Sequence, residues 1–387
     1  MTKHALPTSN RFREVLALAR LKMNMPNEIH PGLSLGQMAP LLSDEAFCFA
    51  ALQRVSRSFA LVIQQLPESL RRPVCLFYLV LRGLDTVEDD MNLALDEKMS
   101  ILDNFHLLIH DPDWCLWGVG DSPEYRDLIQ HFDKVNRTYL QLDQSYQAVI
   151  RRICREMSNG MRHYAQRGIQ TTADYDEYCY YVAGLVGYGL SDLFVASGLE
   201  RPELSVCTSL SNAMGLFLQK TNITRDIRED VLVKRYFWPA EIYTRYVQTP
   251  EQLIEHPHHS SSLNALNAMV CDALRHFPDS LLYLQKLQDE AIFRFCAIPQ
   301  LMALFTLAEL YHQPRALVST LKIRKGLTAR IFTEVRTMDD FTRFSRQALQ
   351  ILRTQCGQQP ANHLPCLQLI HTIEQTLQPE KSRHPLF

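Results

Sequence analysis

Apolar side chains recur along most of this chain every three or four residues, which is the period of an α-helix. The pattern predicts one long helix from Tyr125 to about Ser158, and we expect its apolar stripe to lie in the protein core. That stripe consists of Ile129, Phe132, Val135, Tyr139, Leu142 and Tyr146. Further helices are predicted after a capping serine at position 43 and over residues 68–90, 96–110, 278–297 and 299–312. The pattern therefore predicts an all-α protein.

A helix predicted from Tyr175 to Ser197 contains an unusual cluster of small residues in its interior. The cluster consists of Ala183, Gly184, Gly187 and Gly189. An interior glycine costs about 1 kcal/mol relative to alanine, so the cluster indicates that something approaches the backbone closely. Two interpretations remain open at this point, namely a neighbouring helix and a long apolar ligand.

An acidic motif follows the apolar run at residues 77–81. The sequence of residues 79–91 is LVLRGLDTVEDDM, and on a helix Asp85 and Asp89 lie on one face. Tyr78 and Arg82 precede them on the same face. Two neighbouring carboxylates need a cation between them, and magnesium takes oxygen ligands that it shares with phosphate. The motif predicts a magnesium–diphosphate site, although a solvated acidic helix end has the same appearance.

A second copy of this pattern favours the metal site. Residues 219–230 read QKTNITRDIRED, and Asp226 and Asp230 repeat the spacing of four. Gln219 and Asn222 extend the polar stripe along the same predicted helix. Two helices with matched acidic stripes can face each other across a cavity and hold several metal ions between them.

Composition narrows the class of protein further. The chain has 387 residues, 46% of them hydrophobic and only 14 of them glycine, which suits a large helical core. The net charge of -2 does not indicate a nucleic-acid partner. The N-terminus lacks the apolar core of a secretory signal. The sequence contains no run of about 18 apolar residues, so we expect no membrane-spanning helix in this chain. The ten cysteines form no CxxC pair, so we expect reduced thiols in a cytosolic protein.

Two short basic segments are candidate anion sites. Arg57 lies between Ser56 and Ser58, and Lys322 and Arg324 lie in the segment LKIRKG. Arginine suits bidentate binding of phosphate. Each segment could equally be a solvated helix end.

Six motifs in a fixed order resemble squalene synthase (farnesyl-diphosphate farnesyltransferase) of the phytoene–squalene synthase family. They are FYLVLRGLDTVEDD, YVAGLVGYGLSDLF, MGLFLQKTNITRDIRED, YFWP, FCAIPQ and LKIRKG. The likeness as a whole runs from about Val55 to Gly326. The resemblance implies a single all-α isoprenoid-synthase domain over residues 1–387. Its helices would surround a central apolar cavity with the two acidic motifs at the mouth. The core would cover about 43–355, followed by a C-terminal tail, 356–387, with a short helix.

The resemblance also implies an activity. Two molecules of farnesyl diphosphate would condense head to head, with Mg²⁺, to presqualene diphosphate, which NADPH would then reduce to squalene. We expect a monomer without a nucleic-acid partner that contacts a membrane peripherally to release its apolar product. A cytoplasmic location is expected for the chain as it stands. If a C-terminal anchor has been removed from a eukaryotic parent, the location would be the endoplasmic reticulum membrane.

Site residues follow from the matching motifs. Tyr181 matches the tyrosine implicated as acid or base in cyclopropane formation, and Lys322 and Arg324 match positions linked to NADPH. The implied metal ligands are Asp85, Glu88, Asp89, Asn222, Asp226 and Asp230. Substrate binding is implied for Ser56, Arg57, Ser58, Tyr78, Arg82, Gln219, Asn222, Arg225, Arg235 and Tyr283. Catalytic roles are implied for Tyr181, Asp85, Asp89, Asp226, Asp230, Phe59 and Phe295. Aromatic walls that stabilise a carbocation would come from Phe59, Tyr78, Tyr181, Tyr283, Phe293 and Phe295.

The sequence departs from the family pattern at a few positions. Ile227 and Arg228 replace the tyrosine and leucine of the common DYLED form, and Gly83 stands where alanine is usual. The alternatives are a phytoene or dehydrosqualene synthase that uses no reductant, and a non-catalytic binding or assembly protein of the same fold. The segments LKIRKG and FCAIPQ argue against the first, and the retained acidic and basic residues against the second.

Overall fold

The computed structural model describes residues 32–165, 167–357 and 363–378 together with Arg13, Glu14, Ala17, Leu18, Leu21 and His30, but not the side chain of Arg57. Every regular element that the described residues form is helical, which confirms the all-α prediction. Contacts divide the chain into two compact units. We call Met25–Gly168 with Tyr180–Thr208 the N-terminal unit, and Met1–Asn24, Ile169–Cys179 and Ser209–Phe387 the C-terminal unit.

The N-terminal unit is built around the 22-residue helix Glu68–Asp89, which we call the first motif helix. Thirteen of its residues are buried, from Leu70 to Val87, because apolar side chains lie on most of its circumference. The other α-helices of this unit are Leu35–Met38, Asp44–Val55, Arg57–Ile63, Leu95–Leu108, Pro123–Gln130, Phe132–Tyr139, Gln144–Ala165, Leu185–Ala196 and Glu203–Val206. The 3-10 helix Ala39–Leu41 and the π-helical turn Tyr180–Gly184 complete it.

The prediction of one continuous helix from Tyr125 to Ser158 was wrong. The structure has three helices there, although all six residues of the predicted apolar stripe are buried. The Gln147 side-chain amide donates to the carbonyl oxygens of Leu140 (3.2 Å) and Leu142 (2.7 Å). These bonds stabilise a turn before the third helix. The spacing of apolar residues along the sequence does not reveal such a turn, because the buried residues continue at the same spacing through it.

The C-terminal unit is built around the 21-residue helix Glu290–Leu310, which continues through Pro299, where the sequence predicted a break. The helix predicted over 278–297 was wrong, because the structure interrupts it between Leu284 and Glu290. Proline costs about 3 kcal/mol inside a helix, and burial of the surrounding apolar residues offsets that cost. The other α-helices are Thr172–Cys179, Thr208–Arg225, Ile227–Leu232, Ala240–Tyr243, Glu251–Glu255, Ser260–Leu274, Phe277–Leu284, Lys325–Glu334, Met338–Cys356 and Leu364–Thr376, with a 3-10 helix at Pro314–Leu317.

Two helical segments are long and apolar enough to pass a composition test for membrane spans, contrary to the expectation from the sequence. They are Thr172–Ala196 and Glu290–Leu310. The apolar window of Glu290–Leu310 is 72% buried among other residues, as in the core helix of a globular protein. The single-domain expectation stays a prediction, as does the central cavity.

Candidate active site

The first acidic motif lies on an unbroken helix, as the sequence predicted. The Arg82 guanidinium lies 3.4 Å from the Asp85 carboxylate and donates to the Tyr78 hydroxyl, also at 3.4 Å. It also packs over the ring of Tyr125, 5.2 Å from the centroid. Arg82 and Asp85 each expose a quarter of their side chains, so this pair is accessible to a small ligand without being fully solvated. The motif thus presents a carboxylate with a cation already beside it.

The charge of Arg82 is secured by its neighbours. Burial lowers the pKa of the guanidinium, but the Asp85 charge and the Tyr78 and Tyr125 hydroxyls outweigh burial and raise the pKa above its ordinary value. Arg82 therefore remains a cation at any physiological pH. A fixed cation on this face favours the binding of phosphate groups.

Asp90, the last acidic residue of the motif, has a structural part. It is buried, and its carboxylate accepts hydrogen bonds from the backbone amides of Asn92 (2.7 Å) and Gly120 (2.6 Å). Burial raises its pKa, but these amide bonds outweigh burial and lower the pKa below its ordinary value. Asp90 therefore stabilises the loop that follows the helix.

Gly83 departs from the usual alanine for a reason that the structure supplies. A Cβ at this position would lie 2.5 Å from Cε2 of Phe132 and 3.2 Å from Cζ of Phe105. The Phe132 ring fills the space that an alanine methyl group would need. The departure thus reflects local packing around the first motif helix rather than a change at the acidic face.

The second acidic motif differs from the prediction of one continuous helical stripe. The helix Thr208–Arg225, which we call the second motif helix, ends one residue before Asp226. Asp226 then precedes the short helix Ile227–Leu232 with φ -94° and ψ 10°. Two backbone bonds bridge the break, from Asp226 N to Asn222 O (2.9 Å) and from Asp230 N to Asp226 O (3.0 Å). The polar residues therefore stay close to helical register although the α-helix is interrupted at Asp226.

Arg225 binds Asp226 with two hydrogen bonds, at 2.7 Å from Nε and 2.5 Å from Nη2. About a third of each side chain is exposed. Burial lowers the pKa of Arg225, but the Asp226 carboxylate outweighs burial and raises it. In both motifs, then, an arginine lies against an aspartate that the sequence predicted as a metal ligand.

A buried lysine fixes the second motif helix within the C-terminal unit. The Lys220 side chain is fully buried and bonds the carboxylates of Asp176 and, at 2.6 Å, Asp272. Its ammonium group lies 4.6 Å from the ring centroid of Tyr175, and Arg275 also binds both aspartates. Sequence reasoning missed this network because its partners lie on the helices Thr172–Cys179 and Ser260–Leu274, far apart in the chain.

The basic segment LKIRKG lies next to the second motif. Thr320 lies two residues before Lys322, and its hydroxyl donates a hydrogen bond to the Glu229 carboxylate. Lys322 and Arg324 are exposed, and Arg324 occupies the N-cap position of the ten-residue helix Lys325–Glu334 without a capping side-chain hydrogen bond. Arg324 binds Glu14 at 3.1 Å. A helix N-terminus with adjacent cations favours the binding of anions. Here the Glu14 carboxylate already forms an ion pair with one of those cations, Arg324.

The serine-flanked arginine lies at a helix start. The Ser56 hydroxyl caps the helix Arg57–Ile63 by accepting from the Phe59 amide at 3.4 Å, and Ser58 is exposed. The Arg57 side chain lies outside the described residues. The Phe59 ring packs on Tyr78 with 5.5 Å between centroids.

Glu88, Asp89 and Gln219 are half-buried, and further predicted residues are placed as follows. Tyr283, Phe293 and Phe295 are buried in the C-terminal unit, and Tyr181 is half-buried in the N-terminal unit. Arg235 lies over the Phe237 ring at 5.0 Å, and its amide donates to the Asp230 carbonyl at 2.8 Å. Gly189 packs against Phe77 and Ile153, so a neighbouring helix accounts for the close approach at this glycine.

The chemistry of the acidic residues fits magnesium. Within the described part of the chain, no three His, Cys, Asp or Glu side chains form a group that could hold a metal alone. Magnesium is typically bound by one or two carboxylates, with water and substrate phosphate as the other ligands, and each motif presents such carboxylates beside an arginine. The arrangement of the two motifs relative to each other stays a prediction.

The matching proteins define the family. A sequence profile described as squalene/phytoene synthase matches residues 52–330, which is well over half of the chain. The chain therefore belongs to the squalene/phytoene synthase family. Squalene synthase 1 of Arabidopsis thaliana is 44% identical over 82% of this chain and 79% of its own length. The squalene synthase of Solanum lycopersicum is 46% identical over 83% of this chain and 79% of its own length.

Solved structures agree with this assignment. A ligand complex of TcSQS has a TM-score of 0.84 at 42% identity and covers 86% of this chain and 98% of its own. A dehydrosqualene synthase with a TM-score of 0.50 shares 19% identity over 83% of this chain and 100% of its own, which shows the fold alone. The predicted resemblance and the prediction of a transferase of the squalene synthase type are confirmed. Squalene synthases as a family act on farnesyl diphosphate and use Mg²⁺ and NADPH.

Proposed function

We propose that this chain condenses two molecules of farnesyl diphosphate to presqualene diphosphate and reduces that intermediate to squalene with NADPH. The observation that carries the proposal is the contact between Thr320 and Glu229. Thr320 lies two residues before Lys322, and Glu229 lies in the second acidic motif, so this contact supports binding of the cofactor close to the diphosphate groups. A synthase that uses no reductant has no need of this pairing.

The acidic motifs and their arginines would bind the diphosphate groups. When bound, magnesium would neutralise the leaving diphosphate as a Lewis acid. Asp85, Asp89, Asp226 and Asp230 would supply carboxylate oxygens, with Glu88 and Asn222 as further ligands. Arg82 already lies 3.4 Å from Asp85, so it would donate charge-assisted bonds to phosphate oxygens on the same face. Ser56, Arg57, Ser58, Gln219, Arg225 and Arg235 would add further polar contacts.

The aromatic residues and Tyr181 would handle the carbocation. Loss of diphosphate leaves an allylic cation, and the faces of aromatic rings stabilise cations where water is excluded. Phe59 and Tyr78 form one packed ring pair, while Tyr283 and Phe295 are buried. The Tyr181 oxygen would act as the acid or base when the cyclopropane ring closes.

Lys322 and Arg324 would bind the phosphate groups of NADPH. The N-terminus of the helix Lys325–Glu334 adds a favourable field for an anion. The Glu14 carboxylate forms an ion pair with Arg324, and a cofactor phosphate would have to displace it. The monomeric state, the peripheral membrane contact and the cellular location stay predictions.

Product analysis tests the proposal. Purified protein is supplied with farnesyl diphosphate and Mg²⁺, with NADPH present and then withheld. We expect squalene with NADPH and accumulation of presqualene diphosphate without it. The same C30 hydrocarbon at the same rate under both conditions would instead identify a dehydrosqualene-type synthase. No release of diphosphate under either condition would indicate a non-catalytic protein of this fold.

Two variants test the cofactor site separately. Lys322→Ala combined with Arg324→Ala should let presqualene diphosphate accumulate even with NADPH present, because the first step needs neither residue. Glu14→Gln is the matched control, since it frees Arg324 without removing a cation, and it should lower the KM for NADPH. Unchanged squalene output from the double variant would remove Lys322 and Arg324 from the site.

A further inference from the structure

The contact between Gly160 and Tyr181 is closer than any side chain at position 160 would allow. A Cβ added to Gly160 would lie well under 3.0 Å from Cβ, Cγ and Cδ1 of Tyr181. Gly160 lies inside the helix Gln144–Ala165, where glycine costs about 1 kcal/mol relative to alanine. The chain accepts that cost at the place where the base of the Tyr181 ring meets the helix backbone.

The backbone that carries Tyr181 is also irregular. Tyr181 lies in the π-helical turn Tyr180–Gly184, between the α-helices Thr172–Cys179 and Leu185–Ala196. A π-turn inserts one residue into a helix and thereby turns the side chains by about 100° relative to an unbroken α-helix. The uninterrupted helix predicted from the sequence would point Tyr181 elsewhere. The turn and the missing side chain at position 160 together define where the ring lies.

Aromatic neighbours complete the surroundings of the ring. Tyr164 lies one helical turn after Gly160, and its ring centroid is 6.5 Å from that of Tyr181. The Tyr180 ring lies 5.2 Å from Tyr181 on another side. Tyr181 itself remains half-buried, so part of its side chain is accessible. Gly160 and Tyr164, on one helix, therefore both pack against the Tyr181 side chain and restrict where it can lie.

We propose that Gly160 is a positioning residue for the reaction, because its lack of a side chain sets the location of the Tyr181 hydroxyl. The proposal rests on the proposed function, in which the Tyr181 oxygen acts as the acid or base of ring closure. Even a small displacement of a proton acceptor is costly, since a misplacement of about 1 Å can lower a rate on the order of 100-fold. A methyl group at position 160 would push Tyr181 away by such a distance.

Gly189 offers a matched control in the same unit. A Cβ there would lie 2.5 Å from Cζ of Phe77 and 2.9 Å from Cγ1 of Ile153, so it also lacks room for a methyl group. Its neighbours are buried apolar residues of the core. Gly189→Ala should therefore disturb packing without acting through Tyr181.

A double-mutant cycle separates positioning from general destabilisation. Gly160→Ala and Gly189→Ala are each made in the wild type and in Tyr181→Phe, which keeps the ring but removes the hydroxyl. Diphosphate release from farnesyl diphosphate is measured without NADPH. We expect Gly160→Ala to lower kcat about 10- to 100-fold in the wild type, with KM changed less than about 3-fold, but to lower it less than about 2-fold in Tyr181→Phe. Gly189→Ala should have the same effect in both backgrounds.

Equal losses from Gly160→Ala in the two backgrounds would overturn the proposal, and so would an unchanged kcat. If Gly160→Ala does not fold, as judged by circular dichroism, the cycle is run with Tyr164→Leu, which removes the ring beside Tyr181. The same criteria then apply.

A second readout does not depend on activity. The protein is labelled with fluorotyrosine, and the fluorine resonance of Tyr181 is assigned by its loss in Tyr181→Phe. Gly160→Ala should shift that resonance, whereas Gly189→Ala should leave it in place. An unshifted resonance in folded Gly160→Ala overturns the positioning role even if the wild type proves inactive, whereas wild-type inactivity alone contradicts only the proposed function.

Discussion

Apolar packing fixes the first motif helix in the N-terminal unit, whereas the second motif helix adds a buried charge network to its apolar packing in the C-terminal unit. Gly83 lets the Phe132 ring pack directly on the first helix. Lys220, fully buried, ties the second helix to Asp176 and Asp272. Two helices with the same spacing of aspartates can therefore be held in place by different tertiary contacts. The two motifs should respond differently to the same kind of perturbation.

The largest expected effect is on turnover, and here the motifs should behave alike. Asp85→Asn and Asp226→Asn each remove one carboxylate charge while keeping the side-chain shape. Since loss of a metal ligand removes several kcal/mol of transition-state stabilisation, diphosphate release should fall by at least about 100-fold in each. Circular dichroism should show an intact fold. Full activity in either folded variant would remove that aspartate from the site.

The next largest effect should be confined to the second motif. Lys220→Met leaves Asp176 and Asp272 close together with only Arg275 to offset their charges. Breaking a buried ion pair in this way costs about 3–5 kcal/mol, and the lower end applies because Asp176 is partly exposed. Urea unfolding in the absence of ligands measures the loss. A change below about 1 kcal/mol would show that buried charge is not what fixes this helix.

The pH dependence of stability sharpens this prediction. Burial raises the pKa of Asp176, but Lys220 and Arg275 outweigh burial and lower it below the ordinary value of 3.8. A depressed pKa stabilises the fold above pH 3.8, and this stability is lost as the pH falls through the folded-state pKa. Lys220→Met should therefore lose less stability than the wild type between about pH 4 and pH 2.

A smaller effect should distinguish the first motif. Gly83→Ala would improve helix propensity, but the added Cβ would meet Phe132 at 2.5 Å. Overpacking of a core costs about 1–3 kcal/mol, so the variant should be less stable than the wild type. Adding Phe132→Leu, which makes room for the methyl group, should recover part of the loss. A stabilised Gly83→Ala protein would contradict the account of packing.

The smallest difference should come from the two arginines. Arg82→Met removes a guanidinium that packs on the rings of Tyr78 and Tyr125, which we expect to cost about 1–2 kcal/mol. Arg225→Met removes an ion pair that is about a third exposed, which should cost less than about 1 kcal/mol after screening by solvent. Urea midpoints of the two variants give the comparison. A larger loss for Arg225→Met would reverse the ranking.

Local features of both motifs could be predicted from the sequence. Helical spacing placed Arg82 on the face of Asp85, and the apolar stripe from Ile129 to Tyr146 proved to be buried. The order of the six motifs identified the family. These features depend on residues within a few turns of one another, where the period of the helix determines which side chains meet.

The supports of the motifs could not be predicted, because they depend on contacts distant in sequence. Lys220 meets partners 44 and 52 residues away. The contact between Gly160 and Tyr181 requires a π-turn that hydrophobic periodicity does not reveal. The break at Asp226 was missed because Ile227 and Arg228 are compatible with a helix. Tertiary packing determined each of these outcomes.

The central claim is that two differently supported motifs both bind magnesium and diphosphate. Calorimetric titration of inorganic pyrophosphate in the presence of Mg²⁺, on the wild type, Asp85→Asn and Asp226→Asn, tests it without turnover. We expect each substitution to weaken pyrophosphate binding at least about 10-fold, which corresponds to about 1.4 kcal/mol, while the fold is retained. Wild-type affinity in either folded variant would contradict it.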